Sequence, residues 1–170
     1  MESILLIGSN SFSGATFADY ALSKGWAVNG LSRSVEAADP FLPYKWHPHK
    51  HFKYHVLDLN RNLAEIVALL DKTKPQYVVN FAAQSMVGES WQTPGDWFMT
   101  NAVSTIKLHD ELRKRDFLKR YVHVSTPEVY GSCSGFVKED FVFNPSTPYA
   151  VSRAAADMSL KTFHAAYEFP

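Results

Sequence analysis

The chain has 170 residues, enough for one domain with a substantial core, and its 46% hydrophobic and 20% charged fractions are those of an ordinary globular protein. Seventeen basic side chains balance 17 acidic ones, so overall charge gives no reason to expect a nucleic-acid or anionic-membrane partner. One cysteine, Cys133, excludes an internal disulfide and fits a reducing cytoplasm, and the apolar stretch Ile4–Ile7 is too short for a signal-peptide core or a membrane span.

Short β-rich runs alternate with helical patterns, which argues for a parallel sheet covered by helices. The first strand is Ile4–Ile7, an unbroken apolar run suited to a central, doubly covered position. A turn of small residues leads to a predicted helix over Ala15–Lys24, ended by Gly25. Ala27–Leu31 reads as the second strand and Tyr54–Leu57 as the third. Between them Pro40–Phe52 resists assignment, carrying His47, His49 and His51, with His55 just beyond. Alternating histidines share a face only in an extended segment, Pro48 interrupts one, and no cysteine lies nearby, so the segment is read as a plain excursion without metal. Leu63, Ile66, Val67 and Leu70 recur at helical spacing up to Pro75, and Tyr77–Phe81 is the fourth strand. A long helix over Pro94–Arg115, a fifth strand over Tyr121–Val124 and an alanine-rich helix from Pro148 to the chain end complete the pattern.

The strongest local motif is Gly8-Ser9-Asn10-Ser11-Phe12-Ser13-Gly14, set between a strand and a helix. Gly8 permits a sharp turn, Gly14 lets helix and strand pack closely, and the free N–H groups of the new helix face an anion. An acidic side chain ending the second strand would bind the ribose of NAD. Here the strand ends Gly30-Leu31-Ser32-Arg33-Ser34, with an arginine that can pair a 2′-phosphate, so the sequence leans to NADP over NAD.

Further segments follow in order: Asp58-Leu59, Asn80-Phe81-Ala82-Ala83-Gln84-Ser85, Ser90, Pro94, Thr100-Asn101, Ser125-Thr126-Pro127-Glu128-Val129-Tyr130-Gly131, and Pro145 to Arg153 around Tyr149. In this order the chain resembles the N-terminal part of the extended short-chain dehydrogenase/reductase family, which acts on sugar nucleotides. The wording of the Asn80 and Thr126 segments is most similar to GDP-mannose and dTDP-glucose 4,6-dehydratases. The resemblance implies a Rossmann-type α/β fold, a parallel sheet with helices on both faces. Residues 1–170 would form a dinucleotide-binding domain ending before a sixth strand, with the C-terminal substrate domain outside the chain. Such a piece is expected not to turn over substrate by itself.

The same resemblance implies the site. Gly8, Asn10, Ser11, Phe12, Ser13, Gly14, Ser32, Arg33, Asp58, Leu59, Ala82, Ala83 and Gln84 would line the cofactor, with Tyr149 and Arg153. Thr126, Glu128, Tyr149 and Arg153 would be catalytic, and Ser85, Thr126 and Glu128 would touch the nucleotide sugar. Tyr149 would take the C4 hydroxyl proton, Thr126 would orient the C4 oxygen, and Glu128 would remove the C5 proton. A free phenol is protonated at neutral pH, so its anion needs a nearby positive charge. Arg153, one helical turn on, stands where the family has lysine. Pro127 replaces the acid of dTDP-glucose dehydratases, and Ser11 replaces the family's middle glycine while adding a hydroxyl able to donate a hydrogen bond. The helices at 94–115 and 148–168 would pair with their copies in a homodimer, where Ala154, Ala155, Ala156, Met158 and Phe163 suit the packing. A 4-epimerase, a uronate decarboxylase and a catalytically silent nucleotide-binding module stand as alternatives.

Overall fold

Four consecutive apolar side chains, Ile4 to Ile7, are almost wholly buried, and this sets the centre of the sheet. The computed structural model describes residues 1–170. Strand β1 (Ser3–Ile7) pairs on one side with β2 (Ala27–Ser32), which pairs with β3 (Phe52–Val56). On its other side it pairs with β4 (Tyr77–Asn80), and β4 pairs with β5 (Arg120–His123). All pairings are parallel and the order is β3-β2-β1-β4-β5. Parallel strands require crossover connections, and helices α1 (Phe12–Ser23), between β1 and β2, and α2 (Leu63–Thr73), between β3 and β4, lie in two of them. The order reverses beside β1, where Ile7 pairs with Leu31 on one side and Asn80 on the other. Sheets of this kind bind ligands at the carboxyl ends of the strands flanking such a reversal.

The five predicted strands are present with small shifts at their ends, but α1 begins at Phe12, earlier than the predicted Ala15, because Ser11 caps it. The Pro40–Phe52 excursion does more than connect strands. Two single 3₁₀ turns, Asp39–Phe41 and Pro43–Lys45, bring Leu42 and Tyr44 into the core with Ile4, Leu6, Ala15, Ala18 and Val28. The Tyr44 ring lies 4.2 Å from that of Phe52. The histidines do not converge: His49 Nε2 is 3.4 Å from the Asp19 carboxylate and His55 Nε2 3.2 Å from Asn29 Oδ1. No three His, Cys, Asp or Glu side chains are placed to hold a metal ion.

Residues 1–82, 114–124 and 170 form one compact unit around this sheet, and residues 83–113 and 125–169 form a second. In the second unit the helix predicted over Pro94–Arg115 is not continuous. It comprises α3 (Pro94–Trp97), a π-helical stretch at Phe98–Ser104 and α4 (Thr105–Leu112). The widened turn shows in the Thr105 hydroxyl, which donates to the Thr100 carbonyl, five residues back, at 3.1 Å. Helix α5 (Pro148–Tyr167) starts on Thr147, whose hydroxyl accepts from the Ala150 N–H at 3.0 Å, with Pro148 in the first position where its missing N–H costs nothing. It stops at Glu168, in the left-handed region at φ +53°. No helix is long and apolar enough to cross a membrane.

His109 of α4 is fully buried, with the rings of Phe163 and Phe169 6.1 and 6.2 Å away. Burial lowers its pKa to about 4, so the imidazole is held neutral. The unfolded chain takes up that proton below the ordinary histidine range while the folded one does not. Folding stability therefore falls as pH drops from about 6.5 to about 4, by roughly 3 kcal/mol at most from this residue. In His109→Leu this component should vanish, giving a shallower fall in urea-unfolding stability over that range than in the parent.

Candidate active site

The turn off β1 is built by close backbone approach. Gly8 has φ +85°, and a Cβ there would lie 2.7 Å from the Ala82 nitrogen. A Cβ on Gly14 would lie 2.2 Å from the Gly8 carbonyl oxygen, so both glycines are fixed by space. Ser11 sits between them in extended conformation at φ −81°, where no glycine is required. Its hydroxyl donates to the Gly8 carbonyl at 2.8 Å and accepts from the Gly14 N–H at 3.1 Å. The added donor is therefore spent on the turn itself. With the Ala15 N–H closing on the Ser11 carbonyl at 2.8 Å, the amides of Phe12 and Ser13 are those that the first helical turn leaves for an anion. The Phe12 ring beside them is 87% exposed. Ser9 is buried behind the turn, against Gly30 of β2, where a Cβ would come within 2.6 Å of its hydroxyl.

At the end of β2, the Ser32 hydroxyl accepts from the Asn10 N–H at 3.0 Å, and Arg33 is exposed. The first carboxylate after the strand, Glu36, accepts from the buried Tyr44 hydroxyl at 2.8 Å and pairs with Lys45 at 3.0 Å. Burial first, and then this carboxylate, push the Tyr44 phenol pKa up, while the hydrogen bonds to Glu36 and Asp39 raise that of Lys45. Asp58 shapes the turn before α2: its carboxylate accepts from the Asn60 N–H at 2.7 Å and its own N–H donates to Asn62 Oδ1 at 3.0 Å. Leu59 beside it is buried. Past β4, the Ala82 N–H donates to Oδ1 of buried Asn80 at 2.9 Å.

In the second unit Ala83 and Gln84 are half-buried and Ser85 is exposed. Gln84 is held at both ends of its backbone by one side chain. Its N–H donates to Asn101 Oδ1 at 2.8 Å, and its carbonyl accepts from Asn101 Nδ2 at 2.9 Å. The same Nδ2 donates to the Ser152 hydroxyl at 3.0 Å, which donates to the Tyr149 carbonyl at 2.7 Å. Tyr149 and Arg153, one turn apart on α5, are both buried. One turn further, Asp157 accepts a short hydrogen bond from the Ser125 hydroxyl. Burial raises the Asp157 pKa, and its hydrogen bond to Ser125 and the charge of Arg153 pull it back. Thr126 caps the 3₁₀ turn Pro127–Tyr130, its hydroxyl accepting from the Glu128 N–H at 3.3 Å. Glu128 lines a cavity of about 570 Å³ with Tyr130, Cys133 and Lys138.

The structure thus joins Thr126 with Glu128, and Tyr149 with Arg153, in single turns, and sets Asp58 at a helix entry. Sequence reasoning gave no role to Asn101, Ser152 or Asp157. The spacing of Asp157, four residues beyond Arg153, was the available signal for it. Asn101 stood among the segments that carry the family resemblance, but its hydrogen-bonding role had no signal, because the π-helical stretch is invisible in hydrophobic periodicity.

A glycine turn at the reversal of a parallel sheet, with a tyrosine and a cation one turn apart on a long helix, defines a Rossmann-type chain of the short-chain dehydrogenase/reductase class. Within that class, residues 5–170 match the family described as GDP-mannose 4,6 dehydratase, and the chain belongs to that family. It is 32% identical over 181 aligned positions to a dTDP-glucose 4,6-dehydratase of Xanthomonas campestris pv. campestris strain B100, covering 100% of this chain and 51% of the relative. It is 31% identical to a GDP-mannose 4,6-dehydratase of Vibrio cholerae, covering 89% of this chain and 43% of that one. Among solved structures, a dTDP-glucose 4,6-dehydratase from Bacillus anthracis in complex with NAD superposes with a TM-score of 0.83 at 23% identity, over 100% of this chain and 53% of that one. The UDP-Glc/GlcNAc 4-epimerase from Campylobacter jejuni gives 0.88 at 24%, over 99% and 51%. These likenesses establish the fold. The chain spans about half the length of the curated relatives it matches first.

Asn101→Asp should lower unfolding free energy in urea by roughly 3 kcal/mol, since it removes two donated bonds and buries a carboxylate against the Gln84 carbonyl. Gly14→Ala, which drives a Cβ into the Gly8 carbonyl, should cost at least about 2 kcal/mol by the same measurement.

Proposed function

We propose that residues 1–170 are the cofactor-binding portion of an NADP-dependent sugar-nucleotide 4,6-dehydratase. One observation carries the reading: in a chain of this family, Thr126 with Glu128 and Tyr149 with Arg153 lie in one compact unit. The dinucleotide fits the other unit's donor set, where two glycines whose Cβ atoms would strike backbone open a turn with outward-facing amides. Gly8, Asn10, Ser11, Phe12, Ser13 and Gly14 would surround the diphosphate, with Ser32 and Arg33 at the ribose and Asp58, Leu59, Ala82, Ala83 and Gln84 along the bases. Arg33, with Glu36 engaged elsewhere, favours NADP over NAD.

When bound, the nicotinamide supplies the hydride acceptor for oxidation at C4 and the hydride donor at C6. Tyr149, as its phenolate, takes the C4 hydroxyl proton, and Arg153 supplies positive charge one turn away to stabilise that phenolate before the transfer. Thr126 donates its hydroxyl proton to the C4 oxygen, its lone pair already engaged by the Glu128 N–H. Glu128 removes the C5 proton, acidified by the C4 ketone, and passes it to the departing C6 hydroxyl, which leaves as water. Ser85 touches the sugar. Dehydration is favoured over 4-epimerisation because Glu128 supplies a base that epimerisation does not need.

The homodimer belongs to the same reading, through the helices at 94–115 and 148–168. Ala154 and Ala156, expected to serve that packing, are buried within the single chain. The outward apolar positions are Phe98, Met99, Val103, Val151, Met158 and Tyr167. We place the protein in the cytoplasm, on its single cysteine.

The test is to incubate the gene product, at its natural length, with GDP-mannose, dTDP-glucose and UDP-sugars plus either cofactor, and follow product mass. Loss of one water, as a 4-keto-6-deoxy sugar, is expected. An isomeric product would replace the reading by epimerisation, loss of carbon dioxide by decarboxylation, and cofactor binding without any product by a silent nucleotide-binding module. Arg153→Lys should raise kcat several-fold, and an unchanged kcat would mean that the arginine is a fully adapted replacement.

A further inference from the structure

We propose that Asn10 sets how this chain reads the 2′ position of the adenosine ribose, by making the phosphate turn and the exit of β2 one rigid piece. The inference rests on the NADP reading above and adds a positioning residue to it. Asn10 makes four hydrogen bonds, one to Ser32 at the end of β2 and three to the segment after it. Its N–H donates to the Ser32 hydroxyl at 3.0 Å, and its Nδ2 donates to the Ser34 hydroxyl at 3.2 Å and the Val35 carbonyl at 2.9 Å. Its Oδ1 accepts from the Ala37 N–H at 2.8 Å. The set requires a donor and an acceptor on one short planar group, which is a carboxamide. Aspartate lacks the donor, and serine lacks the reach.

Arg33 lies between Ser32 and Ser34, so its backbone is bracketed by two residues tied to Asn10. A third tie comes from β3, where the Tyr54 hydroxyl donates to the Ser34 carbonyl at 2.5 Å. The Ser34 hydroxyl accepts from Asn10, which leaves its own proton to donate to a phosphate oxygen. A guanidinium and a hydroxyl displayed on a fixed loop recognise a dianion with less ordering cost than on a loose one. The competing charge is restrained as well, since Glu36 is held by Tyr44 and Lys45.

The experiment needs only the adenosine half of the cofactor. The 170-residue chain is titrated calorimetrically with adenosine 2′,5′-bisphosphate and with AMP, and the ratio of the two Kd values is read. The parent should favour the bisphosphate by about tenfold or more. Asn10→Ala should bring the ratio close to one, Arg33→Ala should do the same, and the double variant should lose no more than either single. If Asn10→Ala does not fold, Ser34→Ala removes an exposed acceptor of the same tie and should lower the ratio several-fold. A parent preference that survives both Asn10→Ala and Ser34→Ala overturns the role of Asn10 and leaves the NADP reading standing. A parent that binds AMP equally well overturns both. A parent that binds neither probe overturns nucleotide binding by this unit, and the inference with it.

Discussion

The carbonyl oxygen of Gly8 is the most crowded polar atom of the turn, and the first unit is arranged around it. It accepts from both the N–H and the hydroxyl of Ser11, at 3.0 and 2.8 Å, and it leaves no room for a Cβ on Gly14. That crowding is how a strand becomes a helix within a few residues. It fixes the direction in which α1 leaves β1, and hence where Ala15, Ala18 and Ala21 meet Ile4, Leu6 and Val28. Small side chains along that face let the helix lie close, as the tight turn requires. Because the turn sits where the strand order reverses, the geometry that closes the core also places outward amides at the carboxyl edge of the sheet.

The second unit reaches comparable order by a different route. Its anchor is polar: one buried carboxamide, Asn101, satisfies both backbone groups of Gln84 and reaches Ser152 on α5. The π-helical stretch is coupled to this, because an extra residue per turn rotates Asn101 relative to the flanking helical segments. Further along α5, Arg153 is 2% exposed, and a cation so buried is tolerable only with compensating negative potential. Asp157 supplies some, and the attraction is mutual, since the arginine favours the ionised carboxylate against its own burial. A lysine would concentrate the same charge at one point, whereas the guanidinium spreads it over a plane. Asp157 thus belongs to the setting in which the substitution at 153 has to be understood.

What could be read from the sequence followed from periodicity. Ile4–Ile7 announced a central strand because every one of its side chains is buried, and the alternation of strands with helices carried the parallel order. The Pro40–Phe52 segment was opaque because its two core side chains, Leu42 and Tyr44, are delivered by 3₁₀ turns that follow no strand or helix period. The break in the helix at Phe98 was hidden for a related reason: a widened turn leaves the apolar pattern on either side intact. Candidate-site residues were legible where a motif fixed their spacing, as for Tyr149 and Arg153. Asn10 and Asn101 were legible as motif positions, but their hydrogen bonds across tens of residues, to Ala37 and to Ser152, were not.

The end of β2 shows why motif logic needs the structure beside it. The absence of a carboxylate at Ser32 does not by itself make the end of β2 cationic, since Glu36 follows four residues later on the same loop. Its side chain is engaged by Lys45 in a partly exposed pair, an interaction that contributes little in isolation. The Tyr44 hydroxyl changes the balance: it is tethered by a ring buried in the core, so its bond to Glu36 loses little side-chain freedom. The irregular excursion between β2 and β3 thereby acquires a reason for its shape. By sinking Leu42 and Tyr44 into the core, it fixes the groups that engage Glu36, and it leaves Arg33 the exposed charge immediately after the strand.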